Sequence, residues 1–336
     1  MVTWDALDAL SHAFELNGIG PTSRVVALVS DSTALAPLIR AALARSHAEA
    51  LEIRPVRDGV DELDRLRAGT LLPSLFDGVD IVVDALGDGH VDAASVAGTD
   101  ARLLRLLPAA AHAHLRPPHA SMATRVERVA TMVAACRELV VRDDNGTELV
   151  ISLDAMRLTA DGGRANGADA YTEFPSGWVT ITPGSATVEG DVVVMPGDGN
   201  LARATHISSP IRLTIRQDRI VAIDGDNADA DVLRALFEAM DTVDAYGIAS
   251  VGLGLNPGRA GAGAPFDDVL TDAGLARLSA GVVTVAFGDN VHADRPCPAR
   301  VGLALSRRSV SLDGTAICDN GVLVGDAAPD VYELPG

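Results

Sequence analysis

The sequence predicts a two-domain α/β protein. Its N-terminal half reads as a Rossmann-like layer on a parallel sheet and its C-terminal half as a strand-rich α+β domain, divided into 1–160 and 161–336. Three observations carry that prediction. Short apolar runs alternate with helical segments through residue 137, and strands and hairpin turns crowd the stretch after residue 143. The chain has 336 residues, 48% of them hydrophobic, enough apolar side chain for two cores.

The run 24–30 (Arg-Val-Val-Ala-Leu-Val-Ser) is short and apolar, as a buried strand requires. Residues 33–45 are helical in composition despite Pro37, and 51–56 read as a second strand. A third strand, 79–86, closes on the turn Gly87-Asp88-Gly89. Apolar strands separated by helices imply parallel pairing. In 121–137, Val126, Val129, Met132 and Val133 fall on one helical face. Asp143-Asp144-Asn145-Gly146 is a hairpin signal leading into a strand at 147–153. The glycine-rich loop 161–167 marks the division. Strands follow at 178–182, 187–195, 211–216 and 219–223, the last two joined as a hairpin through Gln217-Asp218, and then a helix at 230–243.

Bulk properties exclude several classes. The formal charge of -19 repels phosphate backbones and anionic lipid, and aromatic content of 3% leaves little for base stacking, so neither nucleic acid nor membrane is an expected partner. The start of the chain lacks a basic region followed by an apolar core, and no apolar run reaches spanning length, so a cytoplasmic location is expected. All 27 basic residues are arginine, which removes Schiff-base and lysine-base catalysis. Cys136, Cys297 and Cys318 are too few and scattered for a disulfide framework or a thiolate zinc site.

Four phrases in the second half carry a resemblance. They are Phe174-Pro175-Ser176-Gly177-Trp178-Val179; the run 246–256 from Tyr246 to Asn256 (Tyr-Gly-Ile-Ala-Ser-Val-Gly-Leu-Gly-Leu-Asn); Thr284-Val285-Ala286-Phe287-Gly288-Asp289-Asn290; and Ala299-Arg300-Val301-Gly302-Leu303-Ala304-Leu305, followed by Ser311-Leu312-Asp313-Gly314. In order and approximate spacing they resemble the aminopeptidase T family of metallopeptidases and its relative, the iron-dependent 2,5-dihydroxypyridine dioxygenase family. The resemblance covers 145–314 and implies an aminopeptidase T-like C-terminal domain and a homodimer. It also implies metal ligands at these phrases: Glu, His, His and a His-x-Asp pair. Here the corresponding places read Gly177 with Trp178, Ser250, Thr284, and Arg300 with Gly302.

Such residues are poor ligands. Zinc and iron(II) favour imidazole and carboxylate donors. Ser250 and Thr284 offer neutral hydroxyls, Gly177 and Gly302 no side chain, and Arg300 a permanent positive charge. No cofactor is therefore expected. A relocated metal would have to use His292-x-Asp294 with Cys297, between Pro296 and Pro298; an exposed polar loop explains the same residues. His112, His114 and His119 read as a surface linker. Cys136 reads as packed in its helix, and Cys318 has no nearby histidine. There is no Gly-x-Ser-x-Gly elbow and no Gly-x-Gly-x-x-Gly after the first strand. Gly252-x-Gly254 fits backbone crowding, and 258–263 a flexible loop at the pocket edge.

The functional expectation is a metal-free pseudo-peptidase that binds a peptide, such as the precursor of a peptide natural product held for tailoring enzymes. Trp178, Ser250, Asn256, Thr284, His292 and Arg300 are the expected ligand-binding residues, with no catalytic residue assigned. Arg300 would pair with a carboxylate, or alternatively with a sheet neighbour; Trp178 would supply an apolar wall, or alternatively pack in the core. The alternative function is an active enzyme of the same fold: an aminopeptidase or ring-cleaving dioxygenase with a relocated metal, or a metal-free hydrolase or cyclase.

Overall fold

A computed structural model describes residues 4–30, 33, 35–54, 75–86, 99–107, 120–165, 170–185, 187–257 and 273–330. The first elements are α1 (Trp4–Leu16), β1 (Arg24–Val29), α2 (Leu35–Ser46), β2 (Glu49–Ile53), β3 (Ile81–Ala85), β4 (Arg102–Leu106), α3 (Ala120–Ala135), β5 (Glu138–Arg142), β6 (Glu148–Ser152), β7 (Arg157–Asp161) and β8 (Tyr171–Phe174). There follow β9 (Trp178–Thr182), β10 (Val188–Val194), β11 (Gly199–Asn200), β12 (Thr205–His206), β13 (Ile211–Arg216), β14 (Arg219–Asp224), α4 (Ala228–Glu238) and β15 (Ile248–Gly254). The last are α5 (Ala273–Leu278), β16 (Val283–Asn290), β17 (Arg295–Leu305), β18 (Ser309–Leu312), β19 (Thr315–Asp319) and β20 (Val322–Leu323). The predicted turn 87–89, His112, His114, His119 and the loop 258–263 lie outside the described residues. Among the described residues no helix is long and apolar enough to cross a membrane.

The chain forms two compact units that interleave in sequence: 1–123 with 161–176, and 124–160 with 177–336. Position 160/161, the predicted division, is one of three points where the chain passes between units.

Unit 1 is a parallel sheet in the order β2-β1-β3-β4-β8. β1 and β3 are buried on both faces, which explains their continuous apolar runs. One face packs on α1 and α2, where Ala6, Leu10, Ala13 and Phe14 recur at helical spacing. Two strands were not expected from the sequence. β4 carries Arg102 and Arg105, and β8 is contributed by the inserted segment 161–176. Arg105 is tolerated because its sheet neighbours are acidic: its Nε lies 3.5 Å from Asp84 on β3 and its NH1 3.9 Å from Glu173 on β8. The insertion is clipped at both ends by Asp161, which accepts hydrogen bonds from the Gly163 amide (2.8 Å), the Thr172 hydroxyl (2.6 Å) and the Glu173 amide (2.8 Å). Burial pushes the Asp161 carboxyl up to about 6 against those hydrogen bonds, which pull it down; the nearby Glu173 charge adds to the rise.

Unit 2 holds two antiparallel sheets. One has the order β14-β13-β10-β6-β5-β18-β19-β20 and the other β12-β11-β17-β16-β15-β9-β7. The predicted β13–β14 hairpin turns at Gln217 and Asp218, both at positive φ (47° and 65°), which suits a tight primed turn. Val129 and Val133 of α3, Leu139 and Val141 of β5, and Val310 and Ile317 line a small apolar gap with the facing side of the seven-stranded sheet. Arg308 is buried in a charge cluster: its Nε lies 2.9 Å from Asp143, and NH2 bonds Asp198 and the Val193 carbonyl at 2.7 Å each.

Candidate functional site

The four resemblance phrases form the centre of the seven-stranded sheet. β9 carries Trp178, β15 carries Ser250, β16 carries Thr284, and β17 carries Arg300 and Gly302. Alternation puts Val179, Ile181, Val251, Leu253, Val283 and Val285 on the inner face, all buried. The opposite set, Trp178 and Arg300 apart, is small or hydroxylated and forms an outer face.

Register orders that outer face into rows. Trp178 pairs with Gly254, and the next row runs Thr180, Gly252, Thr284, Ala304. The row after it is Ser250, Ala286, Gly302, and the last pairs Gly288 with Arg300. Trp178, Ser250 and Thr284 thus share one surface, as their phrases imply. Arg300 stands four residues along the ladder from Thr284, about 13 Å at a strand's rise per residue. It is half exposed, its Nε donates to the Asp289 carbonyl at 2.9 Å, and its NH2 lies 3.5 Å from the Asp289 carboxylate. Asn256 lies beyond β15 at the opposite end. Its carbonyl accepts from the Ala280 amide, and its amide donates to the Leu278 carbonyl. His292 sits past the end of β16 in a 3-10 turn, exposed, with Nε2 3.4 Å from the Ala155 carbonyl.

Three further residues shape the face. Thr180 shares Trp178's side of β9, which the alternation in Trp178-Val179-Thr180 would have revealed. Arg277 of α5 lays its guanidinium over the Trp178 indole, 4.4 Å from the ring centroid; nothing in the sequence pairs those two. Leu201 covers Gly302. A Cβ on Gly302 would meet the Leu201 side chain at 3.1 Å, and Leu201 packs against the buried cluster of Ala276, Val282 and Ala304.

The chain matches, over residues 5–325, the family described as NicX, 2,5-dihydroxypyridine 5,6-dioxygenase. It belongs to that family. A 2,5-dihydroxypyridine 5,6-dioxygenase of Pseudomonas putida is 28% identical to this member over 214 residues, which span 61% of this chain and 59% of the enzyme. The solved structure of the 2,5-dihydroxypyridine dioxygenase from Pseudomonas putida KT2440 superposes on this family member with TM-score 0.72 at 22% identity, covering 95% of this chain and 96% of that one. AmpT from Thermus thermophilus superposes with TM-score 0.61 at 16% identity, covering 95% and 99%. At those identities the two structures establish a shared fold, an α/β architecture with a parallel sheet and strand-rich antiparallel sheets.

The donor set of this family member does not fit a divalent transition metal at the resemblance positions. Two hydroxyls, two glycines and an aspartate-paired guanidinium stand where the resemblance implies imidazole and carboxylate donors, and Leu201 occupies the space above Gly302. Among the described residues no group of three or more His, Cys, Asp or Glu side chains is arranged to hold a metal ion. Of the alternative ligands, Cys297 Sγ lies 3.5 Å from Met240 Sδ, while Asp294 adopts a left-handed backbone (φ 53°) in closing the turn.

Proposed function

We propose that this family member is a metal-free binding protein that takes a peptide on the outer face of the seven-stranded sheet. Its setting would be peptide natural-product biosynthesis, where it would present a precursor to tailoring enzymes. The observation that carries the reading is the Leu201 side chain packed on Gly302. The place where the resemblance puts an acidic ligand has become part of a packed apolar cluster. The surface around it carries small residues and neutral hydroxyls along the rows and an indole at one end, which suits a neutral extended chain better than a cation. Metal analysis of protein exposed to iron(II) and to zinc, then desalted, tests the first half. Binding of one equivalent of either metal would sink it. Calorimetric titration with extended peptides tests the second half, with saturable binding expected.

Family membership favours a second reading, a ring-cleaving enzyme whose metal has moved to His292, Asp294 and Cys297. Alanine at His292 or Asp294 would then abolish both metal uptake and turnover. Under the binding reading the same substitutions leave peptide affinity unchanged, because both lie past the end of β16.

A further inference from the structure

Asp161 is the last residue of β7 and the first of the segment 161–176 that joins unit 1. Its carboxyl group grips that segment at two places. One oxygen accepts the Gly163 amide and the Thr172 hydroxyl, and the other accepts the Glu173 amide. A turn and the strand β8 are thereby tied to one side chain. All three donors are neutral, and Asp161 is only 7% exposed.

The charged groups packed around it offer no counter-charge. Glu173 of β8 is an acid of the same sign, and its carboxylate accepts from the Tyr171 hydroxyl at 2.5 Å. Burial pushes the Tyr171 phenol up, so that it stays neutral. Arg105 of β4 lies against Asp84, Glu173 and the Tyr171 hydroxyl. Arg102 of β4 donates to the carbonyls of Asn17 and Ala165. Asn17, just past α1, is uncharged and holds the Gly163 carbonyl and the Ala165 amide. A carboxylate sealed from water and matched only by neutral donors is costly, so the closed arrangement favours the protonated acid. The rise of the Asp161 carboxyl from 3.8 to about 6, against the pull of its hydrogen bonds, has that origin.

We propose that Asp161 is a pH-sensitive latch on this segment, holding the turn and β8 together while uncharged and letting go of both when ionised. Asn17 and Arg102 keep their grip on 163–165, since neither contact uses a carboxyl group, and the opening is therefore local. The latch is tightest below the ordinary value of 3.8, loosens as pH rises through about 6, and is loosest above it.

Amide exchange followed by NMR tests this, with each rate compared to that of an unstructured chain at the same pH. Protection of the Gly163 and Glu173 amides should fall up to about a hundredfold between pH 4 and pH 7 and level off above. Up to about 1 M urea that protection should not respond, because a local opening exposes little surface. The Val26 amide, in a strand paired on both sides, should lose protection with urea. Asp161→Asn should remove the pH dependence. Glu173→Gln keeps the test decisive if that variant does not fold: without the neighbouring charge, the fall should be smaller and centred at lower pH. Protection that stays constant with pH would overturn the latch. A shared urea dependence at Gly163, Glu173 and Val26 would overturn it as well, since the opening would then be global. So would an unchanged pH profile in Glu173→Gln.

Discussion

The two faces of the seven-stranded sheet in unit 2 come from the same strands and obey different rules. On the inner face Val179, Ile181, Val251, Leu253 and Val283 meet α3 and the eight-stranded sheet, and every position is a buried aliphatic. On the outer face the same strands present Trp178, Thr180, Ser250, Gly252, Thr284, Ala286 and Gly302. The inner face carries the cohesion of the unit, since burial of apolar area is what stabilises it. The outer face is free to change without loss of fold. That division explains how a chain can superpose on a dioxygenase over 95% of its length while its resemblance positions hold no suitable donors.

The comparison is broken most easily on the inner side. Phe287 is fully buried and packs edge-on against Phe237, with ring centroids 5.8 Å apart. Phe287→Ala should cost about 3–5 kcal/mol, from lost transfer energy and the cavity left behind. Urea unfolding measures it. A loss below about 1 kcal/mol, small for a buried aromatic, would mean that the inner face does not carry the unit.

The next effect arises where β7 leaves this sheet at Asp161. Burial pushes its carboxyl up to about 6 in the folded chain, against an ordinary value of 3.8. The folded state therefore holds the proton more tightly than the unfolded one. The resulting stability is fully present below the unfolded value and is lost as pH rises through about 6. Relative to Asp161→Asn, the wild type should lose up to about 3 kcal/mol between pH 4 and pH 7. Denaturant titrations of both proteins across that range give the difference. A flat difference would place the charge of Asp161 in a far better solvated setting than its burial implies.

Much of this was legible in the sequence, for reasons that differ by element. β1 and β3 are buried on both faces and read as continuous apolar runs; the β13–β14 hairpin announces itself through Gln217-Asp218. The resemblance was legible in phrases that hold crowded glycines, such as Gly254, where a Cβ would meet the Ser279 carbonyl, and Gly288, where it would meet that of Ala299. β4 and β8 were not legible. The first is neutralised by Asp84 and Glu173 on other strands, and the second pairs with β4 only after an insertion of distant chain. At the site, alternation gives the two faces of each strand, but the shared face of Trp178, Ser250 and Thr284 follows from the pairing register of β9, β15 and β16. Arg277 over Trp178 and Leu201 over Gly302 depend on long-range packing, which no local pattern encodes.

The smallest effects belong to the outer face, and they separate crowding from cohesion. Gly252→Ala should cost about 1–2 kcal/mol, an overpacking term, because its new methyl would sit 2.6 Å from Thr284 Oγ1. Thr284→Val should change stability by less than about 1 kcal/mol, since Thr284 is only partly buried and removes no aliphatic contact from the core. The pair is informative together. If the cost at Gly252 is a clash with the Thr284 side chain, then Thr284→Ala should recover most of it in the double variant, a coupling of about 1 kcal/mol. Additive losses would place the restriction on the other side, at Thr180 Oγ1, which lies 3.1 Å from the same Cβ position.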